Sequence, residues 1–252
     1  MISTALSSKA LKDLTASEII ELCTYSHVHK IEWDSVHIPS DNHELIKEIE
    51  KHCRLNSLLP VAYNSNIILG GNKDIFEQFD VAYECAKLLR VPAINVLIGL
   101  KHDSSEEKYN ELVEETRVIC EKAKKIIVNI IPSHGSVVCD CNSALKFLSD
   151  VYKTNLKLYW APNRLESVEE NKEVIKKVIK YTTNIYISNT DKVGNVSPLF
   201  EAKTTWREYG KIIRSDRSRL HLFILEELPP DNTSSLGREF ATLRRILAGI
   251  RK

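Results

Sequence analysis

The sequence predicts an α/β fold: a (β/α)8 barrel, formed by residues 1–252 as a single domain. Three observations predict it. Short runs rich in Val, Ile and Leu alternate with amphipathic stretches along the whole chain. The repeat is roughly 30 residues, the pitch of successive βα units in such a barrel. The apolar runs are close to continuous, as strands covered on both faces should be. An open doubly wound sheet is the competing arrangement. No G-x-G-x-x-G follows the first strand, which speaks against it.

The strands read as ISTAL, VHKIEW, LLPVAY, PAINVLI, KIIVNII, NLKLYW, NIYIS and LHLFILE. Helices fill the gaps. Thr15 with Glu18, and Ser104 with Glu107, have the spacing of a capping box and mark two helix starts. Asn72 precedes the helix IFEQFDVAYECAKLLR. In ESVEENKEVIKKVIKY, Val168, Val174, Ile175, Val178 and Ile179 share one helical face. SLGREFATLRRILAGI closes the series. The longest irregular stretch runs from about 189 to 203, after strand seven, where barrels often carry lids or clamps.

Lys plus Arg number 35 and Asp plus Glu 34, a net charge of +1 that gives no sign of a nucleic-acid or membrane partner. Basic residues cluster at Lys122, Lys124 and Lys125, and at Lys172, Lys176, Lys177 and Lys180. Both clusters read as solvated helix faces among acids. No apolar run approaches the ~18 residues of a membrane helix. The start, MISTALSS, lacks the basic and apolar regions of a signal peptide, so a cytoplasmic location is expected. Six cysteines in a chain this long do not suggest a disulfide framework, and four of them fall in predicted helices as buried thiols. His134, Cys139, Asp140 and Cys141 lie together, but C-x-C is not the usual zinc spacing.

In a (β/α)8 barrel the active site lies where the strands end. Those ends carry Glu32, Asn129, Ser188, Asn189 and Glu226, while Ile131 and Ala161 are apolar. Glu32 and Glu226 can move protons or grip hydroxyls, and His37 lies in the loop five residues beyond Glu32. Trp33, Trp160 and Trp206 offer flat faces suited to sugar C–H surfaces or to packing.

Several segments resemble, in order, the xylose isomerase-like barrels of the sugar phosphate isomerase/epimerase group. They are VHKIEWDSVHIPSDN, AYNSNIILG, INVLIG, LKLYWAPN, PLFEAKTTWREYGKII and FILEEL. The resemblance implies isomerisation or epimerisation of a sugar-like substrate at a divalent metal (Mn, Zn or Mg), held by carboxylates and a histidine at the ends of strands five to eight. This sequence departs from that set. Strand five offers Ile131, or Asn129 after a shift of two. Strand six offers Ala161, strand seven Tyr186 or Ser188, and strand eight alone keeps an acid, Glu226. One carboxylate among neutral groups is a weak metal site, so a metal is disfavoured. The expected catalytic residues are Glu32, His37 and Glu226. The expected substrate contacts are Trp33, Asn129, His134, Trp160, Ser188 and Lys192. The partner is a small sugar-like molecule, and oligomer formation is left open. The alternative is a non-catalytic barrel that binds a small ligand or a protein.

Overall fold

The computed structural model describes residues 2–71, 74–230 and 232–250. Eight parallel strands close into a barrel in chain order. They are β1 (Ile2–Ser7), β2 (Lys30–Asp34), β3 (Leu59–Leu69), β4 (Ala93–Ile98), β5 (Ile127–Ile130), β6 (Leu156–Trp160), β7 (Thr182–Ile187) and β8 (His221–Leu225). The helices are α1 (Ala16–Tyr25), α2 (His43–Leu55), α3 (Ile75–Leu88), α4 (Glu106–Ala123), α5 (Cys141–Val151), α6 (Val168–Val178), α7 (Lys203–Ser215) and α8 (Asn232–Ile250). Pairing of β1 with β8, Ile2 beside His221 through Leu6 beside Leu225, completes the ring. The predicted (β/α)8 barrel is therefore what forms.

Local chemistry sets most helix starts. Thr15 Oγ1 accepts from the Glu18 amide at 3.3 Å, and the Glu18 carboxylate accepts from the Thr15 amide at 2.7 Å. Ser167 and Glu170 make the same reciprocal pair ahead of α6. The predicted start at Ser104 moves by one residue: Ser105 is the cap, accepting from the Lys108 amide. Asn72 lies outside the described residues, and α3 starts after Asp74. Lys124, Lys125 and Lys180 do not lie on an α-helix face. The first two follow α4, and Lys180 sits in a 3-10 turn after α6.

Strand alternation sorts the buried side chains into two groups. The larger lies between barrel and helices and includes Trp33, Tyr63, Phe79, Phe147 and Trp206. The smaller lines the barrel interior: Ala5, Val61, Tyr159, Tyr186, Leu222 and Ile224, with Ile131 and Ala161 packed on it. Asn129 and Ile131 are two residues apart, so both face inward. The register of strand five therefore does not choose between them. It sets their depth, with Asn129 inside the strand and Ile131 just beyond its end.

Phe147 of α5 is fully buried against Tyr109 of α4, with ring centroids 6.2 Å apart at 68°. Phe147→Ala removes that ring and leaves a cavity, a cost of about 3–5 kcal/mol. Urea denaturation should show the loss as a lower midpoint at an unchanged slope.

Candidate active site

Glu32 occupies the centre of the barrel. It was expected to face the mouth, but β2 continues to Asp34, so Glu32 lies mid-strand, points to the axis and is fully buried. Three donors reach its carboxylate. Ser7 Oγ donates to Oε1 at 3.1 Å, Asn95 Nδ2 to Oε2 at 2.8 Å, and the Tyr186 hydroxyl to Oε2 at 2.5 Å. Asn95 Nδ2 also reaches the Tyr186 oxygen at 2.9 Å. No cation is among these partners. Burial raises the Glu32 pKa to about 7, against the pull of the three hydrogen bonds. Burial and the Glu32 charge push the Tyr186 phenol well above its ordinary value, so it remains a donor.

The network continues below. Asn129 Nδ2 donates to Asn95 Oδ1 at 3.2 Å, and Thr183 Oγ1 donates to Asn129 Oδ1 at 2.9 Å. Asn129 thus braces the interior, behind the position expected of a substrate contact. Tyr159 packs edge-on against Tyr186, centroids 4.7 Å apart, and fills the remaining width.

Glu226 follows β8 at the mouth and is half-buried. Burial, then the neighbouring Glu227, raise its pKa; Lys9 and Arg164 oppose the shift. Glu227, its neighbour, is half-buried. It accepts from the Thr190 hydroxyl and lies 3.8 Å from Arg164 Nη2, joining the loops after β6, β7 and β8. Arg164 also lines a cavity of about 440 Å³ at this end. Tyr159, Trp160, Ala161, Asn163 and His134 contribute to the same wall.

The other expected site residues divide. His134 is exposed and lines that cavity. Trp160 borders it but points mainly outward, edge-on to Trp206 and Tyr209. Trp33 is buried in the layer between barrel and helices and has no place in the mouth. His37 is not joined to Glu32. Its Nε2 meets the Leu11 carbonyl at 3.2 Å and its Nδ1 meets Ser8 Oγ at 3.0 Å. A carbonyl only accepts, so Nε2 carries the proton and Nδ1 accepts from Ser8. Burial lowers the His37 pKa, in keeping with this neutral clamp. Ser188 follows β7; its carbonyl accepts from Trp206 Nε1 at 2.8 Å, and its hydroxyl oxygen lies 3.1 Å from that of Thr190. Lys192 is exposed in a short hairpin, bridged at Thr190 and Val196, and is not part of the cavity wall.

Ser7, Asn95, Tyr159, Arg164 and Glu227 were not expected at the site. Asn95 had a signal, a lone amide within the apolar strand AINVLI. The others had none, because each acts through a partner distant in sequence.

A metal does not fit this mouth. The positions that the resemblance assigns to its ligands hold Ile131 or Asn129, Ala161, Tyr186 or Ser188, and Glu226. Ile131 and Ala161 pack on the interior cluster. Among the described residues, no group of three or more His, Cys, Asp or Glu is placed to hold an ion. Asp140 instead caps α5, accepting from the Ser143 amide at 2.8 Å.

Because the folded pKa of Glu32 exceeds the ordinary carboxylate value of 4.5, folding favours its protonated form. Its contribution to stability is full below about pH 4.5 and fades as pH rises through about 7, by roughly 3 kcal/mol. Glu32→Gln should flatten that part of the stability–pH curve in denaturant titrations between pH 5 and 8. A wild-type curve without such a slope would contradict the assignment.

No protein-family model matches the sequence, and no curated protein is similar enough to match it. Solved structures do match. The probable 3-DHS dehydratase AsbF of Bacillus anthracis superposes with a TM-score of 0.79 at 17% identity, over 96% of this chain and 98% of that one. A xylose isomerase domain protein of Alicyclobacillus acidocaldarius gives 0.79 at 11% identity over 100% of both chains. D-psicose 3-epimerase of Clostridium cellulolyticum H10, solved with D-tagatose, gives 0.71 at 13% identity over 97% and 99%. At these identities the likeness is one of fold, and the chain has the fold of the xylose isomerase-like TIM barrels.

Proposed function

We propose that the protein binds a small polyhydroxylated molecule at the barrel mouth and moves a proton on it, as an isomerase or epimerase does, with Glu226 as the base. The observation that carries this reading is Glu226 itself. It is the carboxylate that remains at the ligand positions the resemblance assigns, it is half-buried at the mouth, and burial raises its pKa while Arg164 and Lys9 lie within electrostatic reach. A base poised nearer neutral pH removes a proton more readily than an ordinary carboxylate. The developing negative charge on the substrate oxygen needs a positive partner, and Arg164 on the cavity wall supplies it. The rings of Tyr159 and Trp160 give flat apolar surface, and Asn163 and His134 give hydrogen bonds to hydroxyls. The ligand class is supported by the similar fold of an epimerase solved with a ketohexose.

A second reading, binding without turnover, is favoured by Glu32 and His37. The first is sealed from the mouth and the second has both ring nitrogens engaged, so neither offers Glu226 a proton-transfer partner. One experiment separates the two. The protein is mixed with a panel of ketoses, aldoses and sugar acids in D₂O, and deuterium entry at carbon is followed by NMR. The first reading expects exchange that is unaffected by a chelator, rises with pH as Glu226 ionises, and falls by ~10²–10⁴ in Glu226→Gln with binding retained. Binding by calorimetry with no exchange would establish the second. Exchange that the chelator abolishes would overturn the metal-free assignment of Glu226.

A further inference from the structure

The net charge of +1 hides a separation between the two ends of the barrel. The loops that lead from helix into strand lie at the end opposite the mouth. Four consecutive ones, entering β5, β6, β7 and β8, hold Lys124, Lys125, Lys153, Lys180 and Arg217. Asp216 is the acid within those loops, and it turns inward to lie 3.3 Å from buried His221 Nε2. Lys153 pairs with Glu121 at 2.7 Å. Lys124, Lys125, Lys180 and Arg217 are exposed, and none has an ion-pair partner among the described residues. Because β5 to β8 are neighbours in the ring, the four loops form one arc of the rim.

Two tyrosines stand on the same arc. Tyr152 is 87% exposed and Tyr181 is 41% exposed, each beside a lysine in the chain. Lys124 and Tyr152 also hold positive φ, 54° and 53°, at the ends of α4 and α5, where glycine is the usual occupant. Asn155 stiffens the arc: its Nδ2 donates to the carbonyls of Cys120, Lys124 and Ile126 at 2.8, 3.3 and 3.2 Å.

We propose that this arc binds single-stranded nucleic acid. Unpaired cations along a rim neutralise successive phosphates, and exposed tyrosine rings between them give bases a face to stack on. An anionic bilayer is met by an apolar layer with cations behind it. Here rings and cations alternate within the loops, as Tyr152–Lys153 and Lys180–Tyr181.

The test is fluorescence anisotropy of a labelled oligo(dT) or oligo(U), about 15 nucleotides long, with the full chain. Four phosphate contacts predict that affinity falls roughly 50-fold between about 50 and 200 mM salt. The combined variant Lys124→Glu, Lys125→Glu, Lys180→Glu should lose at least about tenfold in affinity with an unchanged circular dichroism melt. Tyr152→Gly keeps the test independent of folding: relief of the positive φ should raise its melting temperature while oligonucleotide binding weakens. Absence of binding at low salt overturns the proposal, as does equal binding by the charge-reversed variant. So does sedimentation with phosphatidylserine vesicles in place of oligonucleotide binding. Unequal affinity for oligo(dT) and oligo(U) would support the surface and name its preferred nucleic acid.

Discussion

The barrel is organised around one buried carboxylate. Among the described residues Glu32 has no cation to neutralise it, and an unpaired charge in that position would be prohibitive in free energy. Its presence requires Ser7 from β1, Asn95 from β4 and Tyr186 from β7 to converge on it. Asn95 in turn engages Asn129 on β5, whose carbonyl oxygen accepts from Thr183 on β7. Five of the eight strands are thus tied by directional bonds as well as by packing. Such a network is favourable only when every member is satisfied, so it specifies register as well as stability.

The same arrangement explains why, among the described residues, the acids at the mouth do not converge into an ion-holding cluster. Tyr186 and Tyr159 fill the interior just below the strand ends, and Ile131 and Ala161 close over them. At two of the positions the resemblance assigns to metal ligands, Ile131 and Ala161 instead form an apolar lid on a polar core. Above that lid stand Glu226, and Arg164 with its partner Glu227. The Thr190 hydroxyl bonds Glu227, so the hairpin after β7 is held against the loop after β8. His37, set apart from this group, latches the β2 loop to the turn after β1 through Ser8 and Leu11.

Charge is arranged by end rather than by total. Acids such as Glu226, Glu227, Asp140 and Asp191 lie where strands run into helices, while the opposite arc carries Lys124, Lys125, Lys180 and Arg217, which have no ion-pair partner among the described residues. A barrel alternates its connections between two ends, so sequence neighbours are dealt to opposite faces. A net charge near zero is then an average over two unlike surfaces.

The sequence by itself determined the architecture. Continuous apolar strands, capping pairs such as Thr15 with Glu18, and the repeat of βα units are local or periodic signals, and the barrel follows from them. It also pointed to Glu226, because an acid after LHLFIL must emerge at the mouth. Only the tertiary structure decided what the polar residues do. Glu32 meets Tyr186 across 154 positions of sequence, and no local pattern encodes that distance. His37 looked available because its partners, Ser8 and Leu11, lie nearly thirty residues earlier. The flat face of Trp33 suits a pocket wall or packing equally, and alternation along the strand, which sends it to the face opposite Glu32, decides for packing. Strand periodicity can be read one segment at a time, whereas a buried hydrogen-bond network exists only once all its strands are in place.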